Sequence, residues 1–176
     1  AKDTDCDWFF FWNDDAVMRT VGWDNEIRAE NNNFNLLAFY SHNQHPYSIF
    51  PIIPYKWFEI LGYLCPHQIS DAWISQTSYM LNIMENVDIE VLHDRHDLTG
   101  NNKDETFQER VMFEGNHHDP RDFNYSDWRQ RRFDDACRIA WFLTLQGHDM
   151  SWFRNVCTGQ QDPWETMLSP EFDPNK

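Results

Sequence analysis

The sequence predicts an α/β fold in which a mixed sheet is flanked by helices. Segments typical of strands and segments typical of helices alternate along the first part of the chain, an order that favours such a sheet. The chain has 176 residues, which is enough for one domain with a hydrophobic core. Hydrophobic residues make up 41% of the chain and aromatic residues 16%, more than a disordered acidic chain carries. We therefore expect a globular protein.

Charge and cysteine content narrow the range of partners. The formal net charge is −15, so most of the surface repels a duplex nucleic acid unless metal ions or a local basic patch intervene. The basic run RQRR, residues 129 to 132, is more typical of a solvated helix face. The cysteines are widely spaced and include no CxxC pair, which argues against a zinc knuckle and favours reduced thiols in a cytoplasm. Neither a membrane span nor a targeting segment is visible.

The first element is the aromatic run WFFFW, residues 8 to 12. Its length and its aromatic content predict a strand that is buried on both faces. The polar residues Asn13, Asp14 and Asp15 follow it directly. The strand is therefore expected to end in a pair of adjacent carboxylates.

The next segments continue the alternation of strands and helices. TVGWDNEIRAE, residues 20 to 30, predicts a short helix, and NLLAFY, residues 35 to 40, predicts a buried strand. SIFPIIP, residues 48 to 54, is predicted to be extended. A helix then begins after Pro54, where a first turn tolerates proline, and ends at Gly62.

A second helix and a long strand follow. SDAWISQTSYMLNIMEN, residues 70 to 86, predicts a helix with Ser70 or Asp71 as its N-cap. In NVDIEVLHD, residues 86 to 94, apolar and charged residues alternate with the period of a half-exposed strand. His93 lies at the end of this predicted strand.

The C-terminal part of the chain has a different character. Residues 126 to 146 predict a long amphipathic helix that Gly147 ends, and the last twenty residues predict an extended tail. The predicted apolar stripe of the long helix comprises Trp128, Phe133, Cys137, Ala140, Trp141 and Thr144. We accordingly divide the chain into residues 1–118, which hold the sheet, and residues 119–176, a helical extension with its tail.

The adjacent carboxylates Asp14 and Asp15 are candidates for a metal site. Ligands of open α/β sheets bind outside the carboxyl ends of strands, where these residues are expected to lie. Adjacent carboxylates repel each other unless a hard cation neutralises them, and Mg²⁺ and Mn²⁺ take oxygen ligands while leaving room for phosphate. His93, at the end of another strand, can add a nitrogen ligand. On the spacing alone, the alternative is that NDD is a polar turn that caps the next helix.

Asp71 has two interpretations. An Asp before an apolar helix is most often an N-cap. It can also act as a general base near a metal, taking a proton from an attacking hydroxyl, and a helix N-terminus at a ligand cleft accommodates both roles. His96 and the pair His117 and His118 are further candidates, although exposed polar loops are the usual setting for such residues.

Four blocks, in order over about residues 7 to 110, carry a family resemblance. They read FFFWNDDAVMRTVGWDNEI, FPIIPYKWFEILGYL, ISDAWIS and VLHDRHDLTGNNKDETF. Together they resemble the second half of a glycosyltransferase with the GT-A fold, of the family 2-like type seen in bacteriophage and other viral genomes. The resemblance implies a nucleotide-diphospho-sugar transferase fold and a phage or viral protein located in the host cytoplasm.

The resemblance implies a donor site with a metal ion. In that family the last Asp of a DXD-like motif holds Mn²⁺ or Mg²⁺ against the diphosphate of a nucleotide sugar. Asp15 is the matching position here, with Asn13 and Asp14 before it. The family's next turn covers the sugar, and the matching residues are Thr20, Gly22 and Trp23. His93 or His96, in the matching loop HDRHD, would complete the metal shell.

The resemblance also implies a mechanism. Asp71 matches the family's acceptor-activating carboxylate, so it would deprotonate the acceptor hydroxyl. The metal would stabilise the charge on the leaving nucleoside diphosphate, and a single displacement at the anomeric carbon inverts the configuration. The expected donor is a UDP- or GDP-sugar, and the acceptor is a glycan, a protein or a modified nucleobase.

The sequence departs from the family pattern at two points. Asn13 replaces the first Asp of the DXD motif. The family also places its nucleotide-recognising βα units before this strand, so we expect that N-terminal half to lie on a partner chain or on a removed segment.

Two other functions stay open at this stage. The chain can be a non-catalytic binding or structural module that docks a partner through the helix at residues 126–146. It can also be a metal-dependent hydrolase or nuclease, although the acidic surface disfavours a nucleic-acid substrate. The residues for that hydrolase are Asp14, Asp15, Asp71 and His93.

Overall fold

The computed structural model describes residues 6–30, 34–41, 48–67, 69–94, 99–100 and 126–162. Within these ranges the chain has the predicted α/β architecture, a mixed five-stranded sheet with helices. The strands are β1 Trp8–Phe10, β2 Ala16–Met18, β3 Leu36–Ser41, β4 Ile52–Pro54 and β5 Met84–His93. The helices are α1 Trp23–Ala29, α2 Tyr55–Leu61, α3 Ser70–Leu81, α4 Ser126–Leu145 and α5 Ser151–Cys157.

The order of the strands in the sheet is β1-β4-β3-β5-β2. Strands β3 and β5 are parallel, whereas β1 with β4, β3 with β4, and β2 with β5 are antiparallel. The carboxyl ends of β1, β3 and β5 therefore lie at one end of the sheet. Residues 11 to 15, the crossing segment, join β1 to β2. Because these strands are the outermost two, the crossing segment passes over that whole end of the sheet.

The sheet is curled, so its two edge strands share a core. A flat sheet of five strands is about 19 Å wide. The six residue steps between β1 and β2 reach at most roughly 21 Å, so they would have to be almost fully extended to cross a flat sheet. The ring of Phe10 in β1 instead lies 5.1 Å from that of Phe39 in β3 and 5.7 Å from that of Trp23 in α1. The residues of this strand core include Ile27, Leu37, Phe39, Phe50, Ile52, Val87, Ile89 and Val91.

A second core, the helical core, lies between the other face of the sheet and helices α2 to α5. The alternation along β3 explains the division, since Leu36 and Ala38 face the helices while Leu37 and Phe39 face the strand core. Helices α4 and α5 contribute to the same core as α2 and α3. The predicted domain boundary at residue 118 lies outside the described residues.

Several predicted elements are confirmed with their boundaries. Helix α1, strand β3 and helix α2 lie where the sequence predicts them. Helix α2 ends at Gly62, whose φ of 82° is left-handed and whose N–H donates to the Phe58 carbonyl at 2.8 Å. Along β5 the buried residues Val87, Ile89 and Val91 alternate with more exposed ones. Helix α4 ends shortly before Gly147, which also has a positive φ of 82°.

The prediction that the aromatic run is a strand buried on both faces is wrong. Strand β1 stops at Phe10, is an edge strand paired with β4, and has only half-buried residues. Trp12 is 41% exposed. The pattern of five aromatic residues cannot show that the chain leaves the sheet after Phe10 in order to cross to the opposite edge.

The predicted boundary between α3 and β5 is also wrong. The helix ends at Leu81 rather than at residue 86, and the strand already begins at Met84. Asn82 adopts a left-handed conformation with φ 55°, and its N–H bonds to the carbonyls of Ser78 and Tyr79. An Asn in this conformation is a helix C-cap, a signal that the apolar periodicity through Met84 obscured.

Neither Ser70 nor Asp71 is the N-cap of α3, contrary to the prediction. The cap position is Ile69, and no side chain caps the helix. Asp71 lies in the first turn, where a carboxylate interacts favourably with the helix dipole. Its Oδ1 accepts a hydrogen bond from the Ala72 N–H at 2.8 Å.

The predicted apolar stripe of α4 is rotated relative to the buried face. Trp141 is 68% exposed, and Thr144 is exposed as well. The buried residues of the helix are Arg132, Asp135, Ala136, Ile139, Ala140 and Leu143. Because two of them are charged, a search for apolar residues alone misplaces the face. The basic run at residues 129 to 132 is accordingly not a wholly solvated face.

Two described elements had no counterpart in the prediction. Strand β2 is only three residues long, and helix α5 lies between the predicted long helix and the predicted tail. All four cysteines are free thiols. Among the described helices, none combines the length and the apolar character that a membrane crossing requires.

Candidate functional site

The crossing segment ends in a turn that places Asp15 beside the end of β5. The N–H of Ala16 donates to the Asn13 carbonyl at 3.2 Å, which closes the turn. The N–H of Asp94 donates to the Asp15 carbonyl at 2.7 Å, and Ala16 is the register partner of His93. NDD is therefore a polar turn, as the alternative interpretation had it, but it precedes a strand rather than a helix.

Asp15 and His93 form the candidate site. Their side chains meet with Asp15 Oδ1 3.2 Å from His93 Nε2. The His93 side chain is 3% exposed and the Asp15 side chain 24%. Asp15 Oδ1 is itself buried and accepts no hydrogen bond from a donor in the described part of the chain. Two strand ends that the sequence singled out separately are thus brought together in one acid–imidazole pair.

An aromatic ring contacts the histidine of this pair. The Phe50 ring lies 5.1 Å from the His93 ring in an edge-to-face arrangement. On its other side, Phe50 lies 5.4 Å from Trp12, which lies 4.9 Å from Phe10. A row of rings therefore runs from the partly exposed Trp12 to the buried His93.

Asn13 and Asp14 are exposed on the turn between Trp12 and Asp15. Their position leaves the amide and the carboxylate accessible next to the candidate pair. Asp14 and Asp15 have different environments although they are neighbours, since Asp15 is half-buried against β5.

Thr20, Gly22 and Trp23, which the resemblance assigned to the donor site, have contacts that stabilise the fold. Thr20 Oγ1 accepts a hydrogen bond from the Glu90 N–H at 2.8 Å, extending the pairing of β2 with β5. Gly22 has φ 76° and precedes α1, and a Cβ there would lie 3.3 Å from Asn25 Nδ2. Trp23 packs against the strand core. Thr20 is about three residues along the ladder from His93, roughly 10 Å.

Asp71 lies in the helical layer rather than beside Asp15. Helix α3 packs in the helical core, and the Asp71 charge acts on the thiol of Cys65. Among the described residues, no group of three or more His, Cys, Asp or Glu side chains is arranged to hold a metal ion. Asp71 therefore does not join Asp15 and His93 in a three-ligand group. His96, the other proposed ligand, lies outside the described residues.

Sequence reasoning missed a buried polar cluster around Asp135. The Tyr63 hydroxyl donates to Asp135 Oδ1 at 2.5 Å, and the Trp73 indole N–H donates to Oδ2 at 3.2 Å. Burial raises the pKa of the Asp135 carboxyl, although both hydrogen bonds oppose that rise. No motif signals this residue, because an isolated Asp in a helix gives no indication that it will face the core.

Two further groups of this cluster have shifted pKa values. Burial raises the pKa of the Cys65 thiol to about 11. Burial also lowers the pKa of the Arg132 guanidinium to about 10, with a smaller contribution from the nearby charge of Arg129. The Arg132 guanidinium lies 5.3 Å from the centre of the Trp73 ring. These groups join α4 to α3 in the helical core.

The donor atoms of the Asp15–His93 pair are suited to a divalent cation. The observed separation of 3.2 Å is that of a direct ion pair, and it is also compatible with two adjacent ligands of an octahedral ion, which are about 3 Å apart. Small cations commonly take only one or two protein ligands and complete their shell with water and substrate phosphates. Asp15 Oδ1 accepts no hydrogen bond from the described residues, so it has a lone pair available for such an ion.

Comparison of the chain with protein-family models, with curated proteins and with solved structures finds no match in any of the three.

Proposed function

We propose that the chain is part of a metal-dependent glycosyltransferase of the GT-A type, which moves a sugar from a nucleotide diphosphate to an acceptor hydroxyl. The Asp15–His93 pair is its donor site. The single observation that carries the proposal is this pair, with a buried Asp15 Oδ1 3.2 Å from His93 Nε2 at the carboxyl end of β5. Ligands of α/β sheets bind at such strand ends.

The residues of the pair have distinct roles in this proposal. Asp15 holds Mn²⁺ or Mg²⁺ through a carboxylate oxygen, and His93 adds its imidazole nitrogen. When bound, the cation neutralises the negative charge that develops on the departing nucleoside diphosphate. Asn13 and Asp14 lie exposed on the adjacent turn, where they are available to hydroxyl groups of the substrate.

Asp71 is the proposed base that takes the proton of the acceptor hydroxyl. Helix α3 ends just before β5 begins and packs against the sheet, so α3 and β5 run in opposite directions. The first turn of α3 therefore lies toward the carboxyl end of β5. The Ser48 N–H donates to Ser75 Oγ in this helix at 3.1 Å, and Phe50 contacts His93. Segment 48 to 50 thus contacts Ser75 of α3 and His93 of the candidate site, and the assignment of Asp71 itself rests on its match to the family's acceptor-activating carboxylate. Inversion of the anomeric configuration is the expected stereochemical outcome.

A calorimetric titration with UDP and GDP, with and without Mn²⁺, tests the proposal. We expect binding of at least one nucleotide that requires Mn²⁺ and that weakens at least about tenfold in Asp15→Asn, or about 1.4 kcal/mol. Asp88→Asn is the matched control, because it makes the same charge change at an exposed position of β5. Circular dichroism verifies that each variant is folded.

Two results contradict the proposed donor site. One is a folded wild-type chain that binds neither nucleotide in the presence of Mn²⁺, because the metal and diphosphate contacts of the proposed site lie on this chain and not on the expected N-terminal half. The other is an Asp15→Asn variant that binds the nucleotide as tightly as Asp88→Asn does.

A second candidate function is that of a binding module which associates through α4. The observation in its favour is the exposure of Trp141 and Leu145, 68% and 64%, on that helix. Trp141 borders an open groove of about 670 Å³ between α2 and α4. Sedimentation velocity distinguishes this function: self-association that Trp141→Ser abolishes supports it, and a strictly monomeric wild-type chain contradicts it.

A further inference from the structure

We propose that Trp12 is a stacking platform for a pyranose ring, so that its exposed indole face receives the apolar face of a sugar beside the Asp15–His93 pair. This inference deepens the proposed function and rests on it for the reaction in which the sugar takes part. The resemblance assigned no role to Trp12, and the sequence placed it inside a buried strand.

Trp12 is exposed, yet it is held in place. It is 41% exposed, whereas the aromatic residues of β1 before it are half-buried. Its ring packs against Phe10 at 4.9 Å with an interplanar angle of 71°, and against Phe50 at 5.4 Å with an angle of 40°. The backbone beside it is fixed by a hydrogen bond from the Phe11 N–H to the Pro51 carbonyl at 3.2 Å. An aromatic face that is already ordered loses little conformational entropy when a ligand binds.

The position of Trp12 links it to the candidate site. Phe50, which supports the indole, also contacts the His93 ring at 5.1 Å. The Phe50 ring therefore contacts both the Trp12 ring and the His93 ring. Along the chain it is followed by the exposed Asn13 and Asp14 and then by Asp15. An exposed indole, two exposed polar side chains and Asp15 of the acid–imidazole pair thus lie on one short segment, which packs beside His93 at the end of β5.

This combination of groups matches the chemistry of a pyranose. Such a ring has a face of C–H groups, which packs on an aromatic surface, and a rim of hydroxyl groups, which need hydrogen-bond partners. Trp offers a large apolar face at small entropic cost, and the side chains of Asn13 and Asp14 supply an amide and a carboxylate. A nucleobase also stacks on aromatic rings, so the test must separate the two ligands.

Saturation-transfer difference NMR with methyl glycosides of glucose, galactose and N-acetylglucosamine tests the proposal. We expect at least one glycoside to receive saturation at its ring C–H protons from the wild-type chain. The signal should fall at least fivefold in Trp12→Ala and be partly retained in Trp12→Phe. Phe58→Ala is the matched control, because it removes an aromatic ring of similar exposure, 37%, on α2, which packs in the helical core, and it should leave the signal unchanged.

A calorimetric titration of the same variants with UDP and Mn²⁺ separates this inference from the proposed function. We expect Trp12→Ala to bind UDP within about twofold of the wild type, since UDP carries no pyranose. A glycoside signal that depends on Trp12 in a chain that does not bind UDP upholds the stacking platform and contradicts the donor site.

Three results overturn the inference. The first is the absence of any glycoside signal from the folded wild-type chain, even where UDP binds. The second is a glycoside signal of equal size in Trp12→Ala and Phe58→Ala. The third is a loss of UDP affinity in Trp12→Ala, because the indole would then stack on the base.

Discussion

Asp15 Oδ1 lies 3.2 Å from His93 Nε2, although the two residues belong to different strand ends. The antiparallel register of β2 with β5 sets this distance, since Ala16 is the partner of His93 and the Asp94 N–H donates to the Asp15 carbonyl. A site built on paired strands holds its geometry better than one built on loops. The pair thus joins the turn residue directly before β2 to the last residue of β5, and a change at its backbone partners should disturb both fold and site.

Thr20 is expected to act on stability. Its Oγ1 accepts the Glu90 N–H at 2.8 Å, so Thr20→Val leaves that donor without its partner while preserving the shape of the side chain. We expect Thr20→Val to lower the free energy of unfolding by about 1 kcal/mol. Thr20→Ser keeps the hydroxyl and should cost much less. Urea denaturation of both variants tests this, and equal losses of stability would contradict the assigned hydrogen bond.

Asp135→Asn should destabilise the helical core. Asp135 accepts hydrogen bonds from both Tyr63 and Trp73, whereas an Asn offers only one acceptor oxygen. One donor is left unsatisfied in a buried place, which costs about 1–3 kcal/mol. The matched control is Asp134→Asn, at an exposed neighbouring position of α4. Chemical denaturation should show a clearly larger loss for Asp135→Asn, and equal losses would refute the role of the cluster.

Stability should fall as the pH rises above 9. The pKa of the Cys65 thiol is raised from 9.0 to about 11, so the folded state keeps a proton that the unfolded state releases between these values. The contribution of Cys65 is therefore fully present below pH 9 and is lost as the pH passes through 11, whereas the lowered pKa of Arg132 acts in the opposite direction above about pH 10. Burial also raises the pKa of Cys137 and of Tyr63, which adds to the same decline.

Cys65→Ala tests the source of this alkaline loss. The urea midpoint of the variant should decline less steeply between pH 9 and pH 11 than that of the wild type, because the shifted thiol is gone. Cys157→Ala removes an exposed thiol and should retain the wild-type slope. If the slopes of wild type and Cys65→Ala coincide, Cys65 is not the titrating group.

Gly62→Ala should weaken the end of α2 through the backbone alone. Gly62 has φ 82°, and a Cβ at this position would meet no atom within 4 Å. The cost is therefore that of a left-handed conformation for an L residue, about 1 kcal/mol. Asn tolerates this conformation better, so Gly62→Asn should lose less. Thermal unfolding compares the two, and a melting temperature for Gly62→Ala above that of Gly62→Asn would contradict the explanation.

The sequence predicted the elements whose signals are local. Alternation in β5 and the glycine after α2 depend on neighbouring residues, and both predictions are confirmed. His93 ends β5 as predicted, whereas Asp15 lies directly before β2 and not at the end of the aromatic strand, which stops at Phe10. Their contact follows from the strand order, which no local pattern contains.

Other features depended on tertiary structure. The aromatic run gave no sign that Trp12 leaves the sheet, because an exposed platform and a buried strand residue have the same local composition. The buried face of α4 was misplaced because Arg132 and Asp135, both charged, belong to it. The hydrogen bonds that stabilise Asp135 come from Tyr63 and Trp73, which are distant in the sequence.

The most direct test of a cation at the Asp15–His93 pair is paramagnetic NMR of the histidine rings. The His93 signals are assigned by their loss in His93→Gln, and Mn²⁺ is then added in substoichiometric amounts. We predict that the His93 ring signals broaden first, and that Asp15→Asn needs at least about tenfold more Mn²⁺ for the same broadening, while Asp88→Asn behaves as the wild type. His93 signals that stay sharp while other histidines broaden, or equal broadening in Asp15→Asn and Asp88→Asn, would contradict the metal-binding pair.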